Sequence, residues 1–175
     1  MPADLESLAA EIREVRDRQQ IAEAVYTYCR AVDRIDRELG YSIWNEGAQV
    51  DYGEHIFIGD ARGLIDHICD SHLLGLAHSH QVANIIISIA GDRAMSESYI
   101  NSAMRMRRGE ELVQINTRGR YLDRWSRRPG GWGIDRRVFV CDFDEVVAPA
   151  VPGSIPPRLR LDRDDLSFAL FAGEP

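Results

Sequence analysis

Lysine is absent from this chain: all 21 basic residues among its 175 are arginine. That excludes a Schiff-base lysine, attachment of pyridoxal phosphate and the lysine of a phosphate-binding loop. Cysteine is scarce. Cys29, Cys69 and Cys141 are odd in number and far apart, with no CxxC or zinc spacing, so each reads as a small buried apolar residue. No apolar run approaches the length that crosses a membrane, and the polar start MPADLESLAAEIREVRDRQQ lacks a signal peptide's apolar core. A cytoplasmic protein without a membrane partner is the expectation. Positive charge is not in excess either: the net charge is −7 and the pI about 5.2, which disfavours a nucleic-acid partner. There is no nucleophile elbow, phosphate-cradling glycine loop or dinucleotide fingerprint; RGEE and PGGWG read as hairpin turns. No cofactor is expected.

What is present is an ordinary globular composition, 45% hydrophobic, of a length that closes one core around a small cavity. Leu5, Leu8, Ile12 and Val15 form a helical stripe that Ile21, Val25, Cys29, Val32 and Ile35 continue, with a break expected at 16–20. Leu39, Ile43 and Trp44 suggest another helical turn. AQVDYG and HIFIGD read as a short hairpin turning at Gly53. Asp60 is placed to cap a third helix whose buried stripe is Leu64, Ile65, Ile68, Leu73 and Leu74. Four long strands follow, over 81–90, 93–107, 112–127 and 132–146, joined by turn-forming residues. Helices followed by an antiparallel meander indicate an α+β fold and do not support parallel βαβ winding. Residues 1–150 are read as one domain. The proline-rich tail, 151–175, carries Leu166, Phe168, Leu170 and Phe171, which suit either a cover for a pocket or subunit or a disordered end.

The candidate chemistry is proton transfer. Asp33 lies at the edge of the first helix's apolar stripe, where a carboxylate turned inward needs a partner; turned outward it is a surface charge. In an extended strand His78, His80, Val82 and Asn84 share one face, mixed enough to wall a pocket. Two histidines at i and i+2 could bind a metal, but no third ligand stands at useful spacing, and none is expected. Tyr28, five residues before Asp33, can donate to a developing oxyanion, or pack as a ring with a wet end. Arg120 can clamp an anion or sit on a solvated strand face. Trp44, Phe57, Leu73, Leu76, Met104 and Val138 are candidates to line an apolar cavity.

The segments QIAEAVYTYCRAVDRID, AQVDYG–IFIGDARGLIDHI, HSHQVANIIISIAGDRAMSESYI and GRYLDRWSRRPGGWGIDRRVFVCD, in that order, resemble the SnoaL-like branch of the nuclear transport factor 2 superfamily over about residues 19–144. The resemblance implies a cone: a strongly curved antiparallel sheet wrapped around three N-terminal helices and enclosing an apolar pocket. Within the branch the chain looks most like scytalone dehydratase, bile-acid dehydratase and hexachlorocyclohexane dehydrochlorinase. By that likeness Asp33 and His80 are the catalytic pair, with Asn84 completing an HxxxN element. Tyr28 stands where the dehydratases have tyrosine and the dehydrochlorinase lysine. Tyr52, Asn84, Trp44, Phe57 and Arg120 are the substrate-binding candidates. The implied function is that of a cofactor-independent, dehydratase-like lyase or isomerase acting on a small apolar cyclic substrate. The alternative is a non-catalytic small subunit, as in ring-hydroxylating dioxygenases, or a small-molecule binding protein. A homo-oligomer, trimer or dimer, is also implied.

Overall fold

A computed structural model describes residues 2–148 and 159–172. Helix α1, Pro2–Asp33, runs without the break expected at 16–20. Nothing after Pro2 interrupts it: no glycine or proline lies between positions 3 and 33. Asp17, inside the helix, accepts two bonds from Arg127, at 2.8 and 2.5 Å. What changes near Val15 is the phase of the apolar residues. Leu5, Leu8, Ile12 and Val15 are exposed, whereas Ile21, Val25 and Val32 are fully buried.

α1 ends in a Schellman-type turn, with Asp36 N–H donating to the Ala31 carbonyl and Ile35 at φ 53. A β-branched residue in the left-handed region is strained, by about 1–3 kcal/mol, and the strain lies two residues from Asp33. Asp36 then caps the short helix α2, Arg37–Tyr41. Trp44, expected in a helical turn, opens strand β1, Trp44–Asp51, which turns through Gly53 (φ 79) into β2, Ile58–Asp60. Asp60 caps α3, Ala61–Leu73, by accepting from Gly63 N–H at 2.9 Å. α3 buries Leu64, Ile65, Cys69 and His72, while Leu73 and Leu74 are 54% and 80% exposed. The stripe thus continues through His72, and the expected burial of the two leucines does not hold.

Strands β3 (Ala77–Ala90), β4 (Arg93–Arg108), β5 (Glu111–Arg128) and β6 (Gly131–Val147) complete a six-stranded sheet in the order β2-β1-β6-β5-β4-β3. Its neighbours are antiparallel except β1 and β6, which run parallel, so the sheet is not the wholly antiparallel one expected. Irregularities between Ala83 and Ile86, Arg118 and Gly119, and Arg124 and Trp125 bend it. The result is an α+β cone, a curved unclosed sheet with the N-terminal helices in its concavity. The domain boundary expected at 150 falls outside the described residues. Helix α4, Leu166–Phe171, packs on the end of α1: Arg30 lies over the Phe168 and Phe171 rings, Arg34 pairs with Asp165, and Arg163 pairs with Asp36. Among the described residues no helix is long and apolar enough to cross a membrane.

Candidate functional site

Asp33 is the last residue of α1, and there the helix leaves carbonyls without intrahelical donors. Imidazoles satisfy two of them. The Val32 carbonyl accepts from His72 Nδ1 at 2.9 Å, and the Asp33 carbonyl accepts from His78 Nε2 at 3.0 Å. The Asp33 carboxylate takes two bonds from a third histidine residue. His80 Nδ1 lies 2.7 Å from Oδ1, and the His80 backbone N–H donates to Oδ2 at 2.9 Å. Because carbonyls and carboxylates only accept, each ring must carry its proton on the bonded nitrogen. In the neutral His80 ring the bare nitrogen is therefore Nε2, and Asp33 fixes that tautomer.

The electrostatics follow from burial and these bonds. Burial pushes the Asp33 carboxyl up, but the hydrogen bond and charge of His80 and its backbone N–H outweigh this and hold it below the usual carboxylate range. Burial lowers His72 to about 4, helped by repulsion from His78, and lowers His78 as well. Both rings are thus neutral near neutral pH. They stack with centroids 4.0 Å apart, and His78 Nδ1 is buried without a partner.

A cavity of about 320 Å³ opens beside this group. His72, His78 and His80 line it on one side; Ile68, Ile100, Met104, Ile115 and Phe139 give it apolar walls. Tyr28 and Tyr52 also line it, their hydroxyls 3.0 Å apart. Burial raises both phenols, so both keep their protons. Beneath them Arg137 and Asp123 form an ion pair with no side-chain exposure, with bonds of 2.7 and 2.8 Å. The guanidinium carbon sits 4.4 and 4.1 Å from the ring centroids of Tyr28 and Tyr121. A Cβ at Gly119 would run into the Val140 carbonyl and come within 2.7 Å of the Phe139 ring. Phe139 in turn stacks on Tyr52 at 5.3 Å.

The structure thus brings His80, Tyr28 and Tyr52 together around one cavity, with Asp33 bonded to His80 behind its wall. It separates Asn84, Arg120, Trp44 and Phe57 from it. Asn84, at φ 51, sits on the β3 bulge and is exposed: the bulge reverses the strand's facing, so Ile85, Ile87 and Ile89 continue the inward side in place of Asn84, Ile86 and Ser88. Arg120 pairs with Glu97 and Asp142 and lines no wall of the cavity. Trp44 packs edge-on against Tyr28 and Phe57 against His67; neither lines the cavity. Of the apolar lining candidates, Met104 is in the wall; Leu73 and Leu76 are exposed and Val138 faces another surface. Sequence reasoning gave no role to His72, or to the Asp123–Arg137 pair. Among the described residues no group of three or more histidine, cysteine, aspartate or glutamate side chains is arranged to hold a metal ion.

The SnoaL-like domain family matches residues 13–138. A search of curated protein sequences gives no match. Solved structures do match in fold. A hexachlorocyclohexane dehydrochlorinase from Novosphingobium barchaimii superimposes with a TM-score of 0.70 at 16% identity, over 84% of this chain and 99% of that one. A scytalone dehydratase-like protein from Novosphingobium aromaticivorans gives 0.66 at 17% identity, over 87% and 99%. A dehydratase-like member of the nuclear transport factor 2-like family from Streptomyces avermitilis gives 0.62 at 15%, over 73% and 98%.

Proposed function

The chain belongs to the SnoaL-like domain family, and from that premise we propose that it is a cofactor-independent lyase of the dehydratase type. Its substrate is a small, largely apolar cyclic compound bearing a carbonyl and a hydroxyl β to it. The observation that carries the reading is the 2.7 Å bond from His80 Nδ1 to a buried Asp33 beside a cavity that also holds the paired phenols.

The residues divide the work. His80 Nε2 takes the proton from the carbon next to the carbonyl, and the Asp33 carboxylate stabilises the imidazolium that forms. The two phenols stay bonded to each other, so one of Tyr28 and Tyr52 donates to its partner and the other donates to the carbonyl oxygen as negative charge develops on it. The Arg137 guanidinium behind the Tyr28 ring adds positive potential on the same side. As the enolate collapses, the C–O bond to the β-hydroxyl breaks; the imidazolium returns its proton to that oxygen, water leaves and a conjugated enone remains. The apolar walls limit competing water, and a cavity of about 320 Å³ suits a compound of one or two rings.

The test is a panel of cyclic β-hydroxy ketones, followed by the ultraviolet absorbance of the enone and by deuterium uptake from solvent at the acidic carbon. His80→Ala is expected to lower kcat/KM on any turned-over member at least about 10²-fold, with the fold retained. Equal turnover by His80→Ala and the unsubstituted protein disposes of the assignment.

A further inference from the structure

Among the described residues nothing covers the first half of α1. Every residue from Asp4 to Arg16 is exposed, and the four apolar ones are 72%, 51%, 58% and 68% exposed from Leu5 to Val15. Thirteen exposed helical residues carrying a continuous apolar stripe do not hold a helix well in water without a covering partner. The stripe's spacing is 3, 4, 3, the a/d pattern of a two-stranded coiled coil. At 100° per residue it lies about 150° around the helix from the face that buries Ile21, Val25, Tyr28 and Val32. It therefore points away from the chain's own sheet, and a second helix can lie along it without displacing anything in the fold.

The heptad also runs on past Val15. Gln19 occupies the next a position, Ala22 the next d and Tyr26, 50% exposed, the following a. One turn further, at Arg30, the same face is already covered by a helix, the chain's own α4 through Phe168 and Phe171. The open part of this helix-packing face thus ends where the tail takes over.

We propose that residues 5–26 of α1 pair with the same segment of a second copy of this chain, as a parallel two-stranded coiled coil about 33 Å long. The charges select both the occupant and the direction. In a parallel pair each g position meets the e position five residues on in its partner. Glu11 then faces Arg16 of the other copy, twice by symmetry, and Arg18 faces Glu23. Arg16 has no carboxylate within 4 Å among the described residues, and Glu11 has only a 3.4 Å bond from Ser7, so both are free to pair. Arg18 is held by Glu14 at 2.7 Å and by the Ile87 carbonyl, so the Glu11–Arg16 pairs are the main ones. An antiparallel pair with Leu5 opposite Val15 would instead set Glu11 against its own copy. Gln19 against Gln19 supplies the buried polar pair that fixes register.

Light scattering on the eluting protein reads the state directly. The unsubstituted chain should show twice the mass of Leu8→Glu/Ile12→Glu, whatever further assembly the sheet supports, and the variant should keep the far-ultraviolet dichroism and melting of a folded domain because the stripe is outside the core. In a Cys141→Ser background, which removes the exposed thiol and leaves Cys29 and Cys69 buried, Leu8→Cys should oxidise to a disulfide-linked pair. Glu11→Arg should weaken association and Glu11→Arg/Arg16→Glu restore it. Equal masses for the unsubstituted chain and Leu8→Glu/Ile12→Glu, an unsubstituted chain of 19.8 kDa in solution, failure of the cross-link, or failure of the charge swap to restore pairing would each overturn the proposal.

Discussion

Replacing Asp33 by asparagine tests the reasoning at its centre, because it keeps the shape and removes only the charge and one acceptor. In the folded chain both carboxylate oxygens accept, one from the His80 ring and one from its backbone N–H. Asparagine offers one acceptor and one donor to the same two positions. The backbone N–H cannot change, so the amide oxygen stays with it and the NH₂ group meets the ring. His80 must then carry its proton on Nε2 and turn a bare Nδ1 toward residue 33. A base with its lone pair facing the wrong way is the expected result, and a comparable tautomer error in serine proteases lowers kcat about 10⁴-fold. Hydrogen bonds to charged groups contribute about 1.5–3 kcal/mol each against about 0.5–1.5 for neutral ones, and both bonds to residue 33 become neutral. A loss of about 2 kcal/mol is expected, which in a domain of this size lowers Tm by about 4–8 °C. Nitrogen-15 spectra of the imidazoles check the structural half without any substrate. The unsubstituted protein at pH 8 should show His80 protonated on Nδ1, and Asp33→Asn should show it on Nε2. The same tautomer in both proteins would refute the reasoning, however the activities compared.

Removing either member of the fully buried Arg137–Asp123 pair leaves an unpaired charge beneath the tyrosines, and Asp123→Ala should cost about 3–5 kcal/mol by urea denaturation, whereas Asp123→Leu/Arg137→Met should recover most of it. His72 is held near 4 against an ordinary value of 6.5, so the unfolded chain binds the proton first and stability falls as pH drops from 6.5 to 4, by about 3 kcal/mol from this residue. Urea midpoints across that range should therefore decline, and His72→Gln, which can still donate to the Val32 carbonyl, should flatten the slope. Gly119→Ala forces a Cβ against the Val140 carbonyl and the Phe139 ring; it should destabilise by about 1–3 kcal/mol in a thermal melt and narrow the cavity.

The sequence made the element order legible because helix and strand periods differ and the turn residues punctuate them: Asp60 as a cap and Gly53 as a turn needed only local chemistry. Asp33 and His80 were each legible as candidates, one at the rim of an apolar stripe and the other on a strand's mixed side, but their pairing rested on the family resemblance. What failed did so at bulges and at surfaces. The alternation that put Asn84 on the same side as His80 is correct up to position 83; the extra residue at the bulge then reverses the strand, and nothing in IIISI announces it. The same holds across β5 and β6. Counting outward from the RPGG turn sets Asp123 opposite Arg136, and only the irregularity at Arg124/Trp125 moves it to Arg137, turning an ordinary cross-strand pair into the buried one. The break expected in α1 came from reading a change of apolar phase as a change of helix.

The site depends on how α1 stops. Two histidine rings donate to the carbonyls of Val32 and Asp33, and the third is oriented by the Asp33 side chain, so all three tautomers are set by one helix terminus. That terminus is held on three sides: by α3 through His72, by β3 through His78 and His80, and by α4 through Arg34 and Asp36. Only such support keeps Ile35 in a conformation that glycine would adopt freely. Ile35→Gly should therefore relax the turn, and the expected consequence is divided. Relief of backbone strain favours stability, while the added freedom loosens Asp33 against His80. Broadening of the His80 Nδ1 proton resonance with an unchanged or raised Tm would bear this out. A sharp resonance identical to that of the unsubstituted protein would mean that the three imidazoles alone fix the carboxylate, and that the strained turn plays no part in the site.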